Sequence, residues 1–512
     1  MKTNKFRTRA SRHVQLTAIL TSLVIAVTVL TNAVVQTLAE RYSWYSYMTS
    51  SLGEYQASGT SLALTDAAMA GRAADAPPIE IIFCDLEKNI LADAMHAYVY
   101  DTAGEIAQRY PQSVLIRCYD VTLNPNTVRR FLKMTDPVTG EEIENTLDTT
   151  GVIISCGDYF RVYSLNEFYA FREDSTTAWA YNGERRMTAG ILQAISQNKP
   201  VACFLENHGE VFFDYELMSL LDDAGYALYH LDLQTESIPE NCSLIISYNP
   251  ATDLVSDTVS AVSEVALLQQ FLSVEGNSFL TFIGADSPAL PNMEAFLSDW
   301  GVEFGYYRDS VTGSAYRYTV QDSASSLTSD GYTVYGNGAT AGRAKELIDG
   351  NGSNVVFRKA TVMRAAQGFV NNADGSYQKG NRVLYNLYES AASASAWANG
   401  AARDGGGMLM TLTEQKNAGG SSYVGVVSSV DFASEKFLQS AVYSNGDSIF
   451  GLMKTFGKEN VPQGLRIQPF NSQTMSTVTM AQKWGWTLGL TLIPAAVITT
   501  VATVVLLRRR RA

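Results

Sequence analysis

The sequence predicts an α/β body of two lobes, held between two membrane helices. Three observations carry that prediction. From 79 to 302, apolar runs of strand length alternate with amphipathic segments of helix length, the pattern of sheets covered by helices. Two uncharged apolar runs, 14–36 and 484–507, flank this body. Each run carries its basic residues on the outer side.

The N-terminal element is a basic tail, 1–13, with Lys2, Lys5, Arg7, Arg9 and Arg12. The run 14–36 after it reaches the ~20 residues that a helix needs to cross a bilayer. A cleavable signal peptide would have a shorter apolar stretch and a small-x-small site after it, so a retained helix is the expectation. At the far end, Trp484 and Trp486 sit where interfacial aromatics belong, and Pro494 is tolerated within a membrane helix. Arg508 to Arg511 form the closing basic tail, 508–512. Lysine and arginine beside a span stay cytoplasmic, so both termini are expected there, in the cell membrane, with 40–483 outside.

Charge agrees with that topology. Nine of the 38 lysines and arginines lie in the tails, leaving 29 in the body against 51 acidic residues, about −22. Such a body disfavours nucleic acid as a partner.

The first lobe, 40–197, reads as strand 79–84, helix 92–109, strand 114–120, a helical start at 126–134, strand 151–155 and helix 184–197. This spacing predicts a parallel, thioredoxin-like sheet, without a redox CxxC. The second lobe, 198–302, begins after Lys199-Pro200. It reads as strand 201–206, helix 215–224, strands 227–231 and 243–248, helix 260–274, strand 278–283 and helix 293–300. Crossovers between such strands build a doubly wound, flavodoxin-like sheet, whose ligands sit at the strands' carboxyl ends. The loops in question are 207–210, 249–252 and 284–287. From 303 to 420 glycine, serine, alanine and tyrosine rise among short strand-like stretches, which predicts a β-rich insertion. The segment 421–483 returns to the α/β pattern with strand 423–428 and helix 448–454, before the second span.

Cys84, Cys118, Cys156, Cys203 and Cys242 lie in or beside strand-like runs, and no two have CxxC spacing. They read as small buried hydrophobes.

The order ERRMTAGILQAISQNKPVACFLENHGE, GYALYHLDL, IPENCSLIISYNP and FLSVEGNSFLTFIGADSP resembles the extracytoplasmic auxiliary, substrate-binding-like proteins of gliding-motility-type ABC transporters. The late VGVVSSVDFASEKFL, with Asn445 downstream, resembles that family's closing strand and helix. The resemblance implies an accessory role beside an ABC-2-type permease and, through it, a cytoplasmic ABC ATPase. Gly451 to Lys458 (GLMKTFGK) is no phosphate loop: it has five residues between its glycines and lacks the final Ser/Thr.

The family's Gly-His-Gly-Glu turn stands here as Asn207, His208, Gly209 and Glu210. His208 and Glu210 have the chemistry to contact a ligand or a metal. In the structural alternative, Gly209 makes a tight turn and Glu210 favours the next helix's N-terminus. Two such residues are too few for a metal site, and no catalytic residue, metal or cofactor is expected. A hydrolase would need a nucleophile elbow, which Ser287 in GADSPA only imitates, and a base drawn from His96, His208 or His230. The expected function is thus a non-catalytic accessory subunit that binds a ligand or gates the permease. The alternatives are a membrane-anchored scaffold and a cell-envelope hydrolase.

Overall fold

The computed structural model describes residues 57–470, apart from 74, 137, 173–174, 197–198, 211–214 and 257–261, and beyond them Arg508. The two expected membrane spans lie outside the described residues. Among the described residues no helix is long and apolar enough to cross a membrane.

The described chain is mixed α/β, as its periodicity predicts. Helix α1 (Gly59–Ala70) is capped by Ser58, whose side chain accepts from Ser61 N–H. Then come β1 (Ile79–Phe83), α2 (Ala94–Arg109), β2 (Val114–Cys118), β3 (Val152–Cys156), β4 (Tyr159–Tyr163) and α3 (Gly183–Ser196). Their sheet has the order β2-β1-β3-β4. Strand β1 is parallel to β2 but antiparallel to β3, and β3 is antiparallel to β4.

The all-parallel reading of this lobe is therefore corrected. A parallel return needs a covering crossover helix. Between β2 and β3 the chain offers only a 3-10 turn, Pro125–Phe131, and the hairpin of Lys133–Thr135 with Glu142–Glu144. Strand β4, absent from the sequence reading, follows β3 through Gly157, whose φ of 61° suits a tight turn.

The larger sheet starts with β5 (Val201–Leu205), α4 (Tyr215–Asp223), β6 (Ala227–Leu231), β7 (Cys242–Tyr248), α5 (Glu264–Leu272), β8 (Ser278–Phe282) and α6 (Pro291–Asp299). The chain continues with β9 (Val356–Arg358), β10 (Arg382–Glu389), β11 (Met408–Lys416), β12 (Ser421–Val427) and α7 (Asn445–Thr455). The order β6-β5-β7-β8-β12 is parallel throughout. Strands β11 and β10 extend it antiparallel, so the glycine-rich region supplies two long strands to this sheet. Short β9 stands apart, paired with Thr333–Tyr335.

A strand covered on both faces must be apolar on both. Val201, Cys203 and Leu205 of β5 join one core with Trp300 and Phe296. Ala202 and Phe204 join the opposite core with Leu220, Phe357 and Phe432. None of the five cysteines forms a disulfide, and all but Cys118 are buried. Burial pushes the Cys84 thiol up to about 12, which suits a packing role.

Buried charge joins α3 and β4, which pack with the first sheet, to α4 of the larger one. On α3, Arg185 contacts Glu216 at 2.7 Å and Asp223 at 3.1 Å, both on α4. Arg186 reaches Asp223 at 2.6 Å, and Arg161 of β4 pairs with Asp222. Asp223 is fully buried, and the guanidiniums of Arg185 and Arg186 both face it.

Candidate ligand-binding site

The strands fix where function is built. After β5 the chain passes to β6 on one side, then to β7 on the other, so the crevice between β5 and β7 is the switch point of the sheet. The loops after β5, β7, β8 and β12 all leave from the same parallel ends.

At the switch point, Asn207 (φ 72°) and Gly209 (φ 73°) both take the left-handed conformation. A Cβ on Gly209 would lie 2.9 Å from Ala251 Cβ, so the turn presses against the loop after β7. Ala251 and Thr252 donate their N–H groups to His208 O at 2.7 and 2.8 Å. The His208 side chain is enclosed between two acids. Its Nε2 lies 2.9 Å from Glu264 Oε2, and its Nδ1 lies 3.2 Å from Glu210 Oε1. His208 N–H donates to Glu210 Oε2, and Val255 N–H donates to Glu264 Oε2.

Burial alone would push the His208 imidazole down, but the two carboxylates outweigh it and raise its pKa to about 10. Burial likewise opposes ionisation of Glu264, yet the bonds from His208 and Val255 hold it below the usual carboxylate range. The imidazole is thus a cation at neutral pH, and both nitrogens carry protons. In that form both ring nitrogens are donors toward the flanking carboxylates. Among the described residues no group of three or more His, Cys, Asp or Glu is disposed to hold a metal ion.

The structure brings His208 and Glu210 together and adds Glu264 from the first turn of α5. Sequence reasoning missed Glu264. Its one signal was an acid directly after Ser263, the residue that caps α5.

The open space lies one strand further along. A cleft of about 370 Å³ is lined by Asn249 after β7, residues 284–287 after β8, Arg358 at the end of β9 with Lys359 after it, and Val430 and Asp431 after β12. Its walls are fixed. Gly284 N–H donates to Ser287 Oγ at 3.0 Å, and that hydroxyl donates to Asn249 Oδ1 at 3.1 Å. Buried Arg317 donates to the carbonyls of Ser287 and Pro288 and pairs with Glu294 at 2.6 Å. On the opposite wall, Ser429 Oγ donates to Arg358 O at 2.5 Å. Asn249 and Lys359 have φ of 50° and 48°, left-handed conformations that non-glycine residues rarely adopt.

Chemically, the cleft presents two basic side chains, two carboxylates and the Ser287 hydroxyl. Neither hydrogen-bond partner of the Ser287 hydroxyl is a base. The charged side chains are Lys359, 2.6 Å from Asp286, and Arg358, 3.6 Å from Asp431. The loops after β7 and β8 that line the cleft were among the three expected from the sequence, whereas Arg358 ends a strand outside the parallel set and Lys359 follows it. No family model, curated protein or solved structure matches this chain.

Proposed function

We propose that this chain is a non-catalytic, membrane-anchored accessory subunit of an ABC-2-type transporter, taking a ligand from the extracytoplasmic side or gating the permease there. The observation that carries this reading is the charged cleft at the carboxyl ends of a parallel sheet, where folds of this kind take ligands. Its lining recognises rather than reacts. The flanking apolar runs with outward basic tails support the anchoring, and the acidic body supports an exposed location.

The finer fold reading belongs to the same proposal. Strand order β2-β1-β3-β4, closed by α3, supports a thioredoxin-like first lobe. Five parallel strands with a switch between β5 and β7 support a flavodoxin-like second lobe.

Affinity capture of the full-length chain from native membranes in mild detergent tests the function. The expected result is co-recovery of a polytopic permease and a nucleotide-binding ATPase. Recovery of the chain alone, or with cell-wall enzymes, overturns it.

A further inference from the structure

The cleft is balanced in charge: two cations, Arg358 and Lys359, face two carboxylates, Asp431 and Asp286. Both pairs are substantially exposed, with side chains 42% and 38% accessible in the first and 51% and 75% in the second. Pairs this exposed contribute little to stability, so ligand groups exchange into them at little cost. The Arg358–Asp431 contact is also long, which leaves the guanidinium fork open to the bidentate geometry that a carboxylate prefers.

Charge balance then selects the ligand. An anion alone would engage Arg358 and Lys359 and leave two carboxylates without partners. A cation alone would do the reverse. A molecule carrying both charges replaces each protein pair with a ligand pair and leaves none unmatched. About 370 Å³ is room enough for a molecule of dipeptide size.

We propose that the cleft binds a small zwitterion of dipeptide size, its carboxylate held by Arg358 and Lys359 and its ammonium by Asp286 and Asp431. The inference rests on reading the cleft as the ligand site. The ordered walls mean that little has to move on binding. Arg317 fixes the loop bearing Asp286, and Ser429 fixes the backbone of Arg358.

Isothermal titration of the full-length chain in detergent micelles tests the proposal with four probes: alanyl-alanine, its N-acetyl form, its C-terminal amide and the neutral disaccharide trehalose. Alanyl-alanine is expected to bind, and each blocked form to bind about tenfold more weakly or worse. Arg358→Gln should weaken alanyl-alanine about tenfold yet leave the amide, which has no carboxylate, within about twofold. Asp286→Asn should show the converse pattern with the N-acetyl form. Unchanged melting temperatures for both variants establish that they fold. Equal affinity for free and blocked dipeptides overturns the zwitterion. Trehalose binding that Ala285→Trp abolishes, with no dipeptide binding, also overturns it but retains the ligand site. Absence of heat with all four probes removes both readings.

Discussion

Asn445 is fully buried and makes three hydrogen bonds that hold separate segments together. Val356 N–H donates to its Oδ1, and its Nδ2 donates to the carbonyls of Val356 and Phe432. Asn445→Ala strands all three backbone groups, so urea denaturation should register a loss of roughly 2–4 kcal/mol. His208 makes a different prediction. Its folded pKa of about 10 lies above the 6.5 of a free imidazole, so its stabilisation is complete below pH 6.5 and disappears as pH rises toward 10. Thermal melts across that window should show wild type losing stability relative to its own value at pH 6, with a flatter profile for His208→Gln. At this scale the sequence was partly legible. His208 and Glu210 are two residues apart in one turn, so their proximity could be read directly. Glu264 and Lys359 come from distant elements, and nothing local marks a helix-start glutamate or a left-handed lysine as part of a site.

Elements were legible where burial is two-sided. Val201–Leu205 and Ser278–Phe282 are buried at every position and stand out as apolar runs. Strand β4 is half-buried at four of its five positions, and Arg161 interrupts its apolar run, which is why it escaped notice. Direction was less legible still, because whether β3 runs with or against β1 depends on what the connection holds. Two substitutions probe how elements are joined. Gly209→Ala places a Cβ against Ala251 and forces a left-handed φ on alanine, so the turn after β5 should lose about 1–2 kcal/mol in denaturant melts. Asp223→Ala leaves Arg185 and Arg186 without a shared buried partner, and the cost should be about 3–5 kcal/mol by the same measurement.

For the whole molecule, the proposed topology makes one direct prediction. Protease added outside spheroplasts should digest the body of 57–470 while sparing an epitope fused after Ala512; loss of that epitope would reverse the orientation. The sheet carries a further consequence. Strand β12 is inserted between β8 and β11, with Tyr423 paired to Ser278, so a central strand of the sheet is contributed from late in the chain. Non-local pairing of this kind is slow to form. Until residue 427 has emerged from the ribosome, β8 has an open edge and the cleft lacks one wall. The nascent body must therefore be kept from aggregating during synthesis, and a chain truncated before β12 should need a holding chaperone to stay soluble.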